Sequence, residues 1–215
     1  MGKITKNIEE NKKSIRKEKP VLIKYNHRCM ETVMDWIVPV RKEVDKMFEK
    51  GEYVVYGSVG VCEVLDITTM DLEGVPKDRL YYVLHPYYQK DGRIFTPVDN
   101  DKTVIRRIIS KKEADTLIDD IPNIDEFWIS NDKLREVKYK ECIRSCECRE
   151  WIRIIKTLYL RKQERLASGK KITATDSRYF KQAEENLYSE LSISLNIPKN
   201  EMEKYIADKL EKQHV

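Results

Sequence analysis

Apolar residues change their spacing twice along the chain. Residues 1–46 mix Lys-rich sequence such as "ENKKSIRKEKP" with short apolar patches that hold neither a helical nor a strand period, which predicts a poorly ordered or partly helical basic leader. From Glu52 the pattern becomes β. "EYVVY" and "VGVCEVLDI" are Val- and Tyr-rich runs joined at Gly57-Ser58. "RLYYVLHPYY" and "RIFTPV" are joined across Asp91-Gly92, a dipeptide suited to a hairpin turn that needs positive φ. Four or five short antiparallel strands around one core most readily close into a small barrel.

Past Asp99 the period turns helical. Ser110 and Glu113 form a capping box ahead of "ADTLIDDI", and Pro122 breaks that helix, placing a domain boundary near residues 121–125. A charged helix is expected near 129–146. The next, "REWIRIIKTLYLRKQERLAS", sets Trp151, Ile154, Ile155 and Leu158 on one stripe before Gly169 stops it. A third helix follows Thr173 and Asp176, and Pro198 opens a last one through "KNEMEKYIADKL". The expected class is α+β: a small antiparallel barrel over 47–122, then an all-α bundle over 123–215.

Composition narrows the class. With 36% charged and 40% hydrophobic residues among 215, and no apolar run near the roughly 18 residues of a membrane span, the chain reads as cytoplasmic with no membrane partner. The N-terminus lacks the apolar core of a secretory signal.

The formal net charge of +4 divides unevenly. Residues 1–46 carry 12 basic and 7 acidic side chains, whereas 47–110 carry 8 and 10, and 111–127 carry 2 and 6. Residues 128–182 then carry 15 basic against 7 acidic, and 183–215 carry 4 against 7. Outside the leader, all excess positive charge therefore falls in one 55-residue stretch. That is the footprint of a polyanion contact, and equally of a solvated helix face.

No reaction is legible. The three histidines, His27, His85 and His214, have no partner that spacing assigns, and no phosphate loop, dinucleotide fingerprint or nucleophile elbow is present. Five cysteines without an export signal suit reduced thiols. Cys142, Cys146 and Cys148 lack the paired spacing of structural zinc sites, so neither a cofactor nor a resident metal is expected. A thiol or metal sensor built on them stays open beside their burial on a helix and turn.

With a barrel followed by a basic helical part in view, "MFEKGEYVVYGSVGVCEV" (47–64) resembles the opening of the CarD/CdnL family of bacterial transcription regulators, which reads Met, an apolar residue, then "GD.VVYP..G". Gly51, Val54, Val55, Tyr56 and Gly60 hold that pattern, and the likeness continues through "IFTPVDN" and through the helical sequence to about residue 210. The resemblance implies a Tudor-like barrel, shared with transcription-repair coupling factor, that binds the RNA polymerase β subunit. It also implies a helical domain that touches promoter DNA in the minor groove, largely without reading sequence, and stabilises the open complex. The chain would act as a monomer. An equivalent start at Met47 would make residues 1–46 a leader or dispensable arm.

In that family a Trp wedges into the minor groove at the edge of the bubble. Trp128, in "DEFWISND", matches that position best; interdomain packing is its other reading, and Trp151 belongs to the apolar stripe. For phosphates the expected contacts are Lys133, Arg135 and Lys138, with Arg178 and Lys181 at the start of the third helix; of these Arg178 is a position the family keeps basic. In actinobacterial relatives Arg side chains serve the polymerase contact where this sequence has Met70 and, in the last strand, Phe95. Backbone pairing at a sheet edge survives that change, and Arg93 and Phe95 are the side chains expected there. The family's "SGD" turn is replaced here by "SCECRE". A small barrel that binds RNA or ribosomal components is the alternative function.

Overall fold

The computed structural model describes residues 47–71, 77–88, 91–129 and 131–212, so the leader lies outside the described residues. From Phe48 onward the chain forms one compact unit. Five antiparallel strands come first: β1 (Tyr53–Tyr56), β2 (Gly60–Thr69), β3 (Leu80–Pro86), β4 (Ile94–Pro97) and β5 (Ile105–Arg107). Their order in the sheet is β4-β3-β2-β1-β5, so β4 and β5 are its edges. The helices are α1 (Lys111–Asp120), α2 (Asp132–Arg144), α3 (Cys148–Ala167), α4 (Ala174–Leu195) and α5 (Met202–Lys212), with single 3-10 turns at Ile121–Asn123 and Lys199–Glu201.

Period two explains why "YVVY" is apolar without a break. Val54 joins Cys62, Val64, Tyr82 and Leu84 in a small core within the sheet, whereas Val55 and Val61 join the large core made with the helices. Successive side chains face opposite sides of the strand, so β1 is buried on both faces. The register of β2 with β3 shifts between Val64 and Asp66, a bulge that bends the sheet around the small core. β5 is the strand that periodicity does not reveal: "IRR" is three residues long and exists because it pairs with β1, Val55 opposite Arg106.

Helix limits follow local chemistry. Both halves of the Ser110–Glu113 capping box are present, and the Thr173 hydroxyl accepts from the Asp176 N–H at 3.0 Å. Asn196 ends α4 in the left-handed region at φ 55. Trp151, Ile154 and Leu158 are buried on α3, as the stripe predicts. No helix among the described residues is long and apolar enough to cross a membrane.

Where α4 meets α5, half-buried Glu184 carries a carboxyl pushed up from 4.5 to about 7, first by burial and then by Glu203, against an opposing pull from Lys162. Tyr188 lies in the same environment, its phenol raised by burial and by both carboxylates. A carboxyl whose pKa is raised on folding is held protonated in the fold. Its ionisation therefore weakens the native state progressively between about pH 4.5 and about pH 7. Glu184→Gln is expected to raise the melting temperature at about pH 8 and to leave it unchanged at about pH 4.5. Equal shifts at both values in thermal melts would contradict this environment.

Candidate functional site

The segment from Ile124 to Ile129, between the 3-10 turn and α2, is fastened at several backbone groups. Ile124 is buried in the large core. The Lys156 ammonium donates to the carbonyls of Ile121 at 3.1 Å and Ile124 at 2.5 Å, closing the acceptors left by the turn. Arg153 donates to the Asp125 carbonyl at 3.2 Å, and its guanidinium carbon sits 5.3 Å from the centre of the Phe127 ring. The Phe127 N–H donates to the Thr157 hydroxyl at 3.1 Å, and its ring lies 5.9 Å from that of Tyr139. Asn131 caps α2 through the Leu134 N–H at 3.3 Å.

Between these anchors Trp128 turns outward and is 74% exposed. A core or interdomain packing role is excluded by that exposure. Anchored flanks mean that the backbone of this loop would lose little entropy on meeting a partner. Leu134 and Val137, on the outward side of α2, are exposed as well.

The expected phosphate contacts divide. Arg135 is corrected: it is only 7% exposed, and its Nε donates to the Ile129 carbonyl at 3.0 Å, so it braces the loop beside Trp128 and does not face solvent. Lys133 lies in the first turn of α2, with its side chain outside the described residues. Lys138 is partly exposed beside Glu141 at 3.5 Å. Arg178 is exposed, 2.9 Å from Glu136 of α2 and 4.8 Å from the Tyr179 ring centre, and Lys181 is exposed one turn further along α4. The Arg178–Glu136 pair and the tilted rings of Tyr139 and Tyr179, 5.5 Å apart, bring the start of α4 to α2, and Arg135 of α2 in turn borders the Trp128 loop.

Part of the basic excess is thus internal. Arg135, Arg153 and Lys156 hold carbonyls, and Arg161 pairs at 2.9 Å with buried Asp176. Segment charge overstates the free surface charge for that reason.

Among the described residues β4 bonds to β3 and presents its other side as an edge of the sheet. Arg93 is exposed immediately before it, and Phe95, opposite Val83, is 47% exposed. The placement of Phe95 in the last strand is corrected, since β5 follows it.

The three cysteines do not converge. Each thiol donates to its own acceptor: Cys142 to Glu150 at 3.0 Å, Cys146 to the Gly57 carbonyl at 3.3 Å, and Cys148 to Glu190 at 3.1 Å. Burial pushes Cys142 up to about 12 and Cys146 to about 11, and raises Cys148 well above its ordinary value. All three are held as thiols, the unreactive form. No group of three or more His, Cys, Asp or Glu among the described residues could hold a metal ion.

Two family models match the chain. Residues 48–109 match the CarD-like/TRCF RID domain, and residues 128–207 match the CarD C-terminal domain. No curated protein matches the chain at a significant level.

Proposed function

This chain belongs to the CarD family, whose domains act in transcription through RNA polymerase, and we propose that it binds the polymerase β subunit by the β4 edge and promoter DNA by the face around Trp128, stabilising the open complex. The observation that carries this reading is Trp128, 74% exposed on a loop whose backbone is held by Arg153, Lys156 and Arg135. An apolar ring wedged between base steps costs about a few kcal/mol of unstacking, so it acts where the duplex is already distorted, as beside a nascent bubble.

Lys138 on α2, with Arg178 and Lys181 at the start of α4 packed against it, supplies positive charge without a geometry that reads bases. Their pairs with Glu141 and Glu136 are surface pairs that exchange readily for a phosphate. With Arg135 withdrawn, four of the five expected contacts remain, Lys133 among them, and log K is expected to fall against log salt with a slope of about −4. A slope near zero would contradict DNA contact by this face. We read the protein as a regulator and not an enzyme, as its CarD family domains suggest.

Capture of the isolated β-subunit lobes by the full chain tests the sheet half of the reading. Wild type is expected to bind, and Phe95→Asp to weaken binding about tenfold. A full chain that captures no lobe would contradict it.

A further inference from the structure

The sheet is joined to the helices through one polar centre. Arg106, on edge strand β5, donates from Nε to the Cys146 carbonyl at 2.7 Å, and its Nη2 reaches the same oxygen. The other side of the guanidinium grips Glu190 of α4, Nη1 to Oε1 at 2.5 Å and Nη2 to Oε2 at 2.9 Å. Glu190 is fully buried and fully engaged: Oε1 also accepts the Ile109 N–H at 2.9 Å, and Oε2 the Cys148 thiol at 3.1 Å.

The carbonyl that Arg106 holds is turned inward by an unusual backbone. Cys146 sits at φ 59, a left-handed conformation that a non-glycine residue adopts at a cost of about 1–3 kcal/mol. Its thiol meanwhile donates to the carbonyl of Gly57 in the turn between β1 and β2. One residue of the α2–α3 turn therefore contacts both the turn that joins β1 to β2, at Gly57, and the strand on the other side of β1, at Arg106 of β5. Along α4 the contact is equally close: a Cβ added to Gly60 would lie 2.8 Å from the Asn186 Oδ1, and Gln182 donates to the Ser58 carbonyl at 3.1 Å.

An apolar interface alone would hold the two halves together while tolerating a range of angles. A planar guanidinium gripping two fixed acceptors on different elements selects one angle. The strained turn and the buried ion pair are both explained if a defined angle is required.

We propose that Arg106, Glu190 and the inward carbonyl of Cys146 form a positioning device that fixes the β4 edge relative to Trp128, so that a chain seated on polymerase presents its wedge at one place on the DNA. This rests on the functional reading above. None of its three residues belongs to either proposed contact face, so it acts through Trp128.

Two conservative variants of the full chain test it. Glu190→Gln is nearly isosteric and removes the charge; Arg106→Lys keeps the charge and removes the fork. Genetically encoded spin labels at the exposed positions Asp101 and Lys140 report the distance between the sheet and α2 in the free protein. The distance distribution is expected to broaden in both variants. Capture of β lobes and binding to duplex DNA, each measured alone, are expected to stay within about twofold of wild type, while open-complex lifetime falls about fivefold or more.

Folding of each variant is checked by thermal melting, and Glu190→Gln alone suffices if Arg106→Lys does not fold. A distribution as narrow as wild type overturns the device, whatever polymerase does. A broadened distribution with unchanged lifetime overturns its role in positioning. If wild type itself leaves the lifetime unaltered, the functional reading fails, and the distribution alone then decides whether the centre fixes the angle.

Discussion

Trp128→Ala is expected to shorten the lifetime of an open complex on a weak promoter about tenfold, while polymerase binding is unchanged. Tenfold corresponds to about 1.4 kcal/mol, a fraction of the few kcal/mol exchanged when an apolar ring enters a base step. The same substitution is expected to move unfolding free energy by less than about 0.5 kcal/mol, because the ring is 74% exposed and its loop is held by groups that belong to other residues. An unchanged lifetime would contradict the wedge, whatever the substitution does to stability. Phe127 is its internal control. It is the neighbour that packs against Tyr139, so its loss should act through folding.

Trp151→Ala should behave in the opposite way. Trp151 is fully buried on α3, with the Arg106 guanidinium carbon 5.9 Å from its ring centre. Truncating such a ring leaves a cavity between α3 and the sheet side of the core, and costs about 3–5 kcal/mol. Domains of this kind carry about 5–15 kcal/mol in total, so the urea midpoint should fall by a large share of its value. A loss under about 1 kcal/mol would mean that the large core does not centre on this residue. The two tryptophans thus separate function from stability within one pair of measurements.

What the sequence made legible was governed by neighbours in the chain. The Ser110–Glu113 capping box, the glycine turn at Gly57 and the stripe of Trp151, Ile154 and Leu158 are local rules that appear as read, while of the Thr173–Asp176 box the Thr173 half is present and Ile155 of the stripe is half-buried. β5 was not legible, because three residues without alternation become a strand only through β1. The edge position of β4 likewise depends on a strand order set by long-range pairing.

At the site the same division holds. "EFW" contains two rings and no local rule for which one is buried; the Thr157 hydroxyl and Tyr139 ring, supplied by α2 and α3, decide for Phe127. Arg135 reads as any helix arginine until the Ile129 carbonyl is seen beside it. Glu190 reads as an ordinary helix glutamate, yet its partners Arg106 and Ile109 lie 84 and 81 residues away. The replacement of "SGD" by "SCECRE" did mark the α2–α3 turn, and Cys146 there holds the left-handed position that glycine would take freely.

The decisive measurement is the lifetime of the open complex formed by native RNA polymerase on a weak promoter, with and without the full-length chain. The lifetime is expected to lengthen with the protein present, and to lose that gain at high salt as the phosphate contacts are screened. An identical lifetime with saturating protein bound to polymerase would contradict stabilisation of the open complex by Trp128 and its surrounding face.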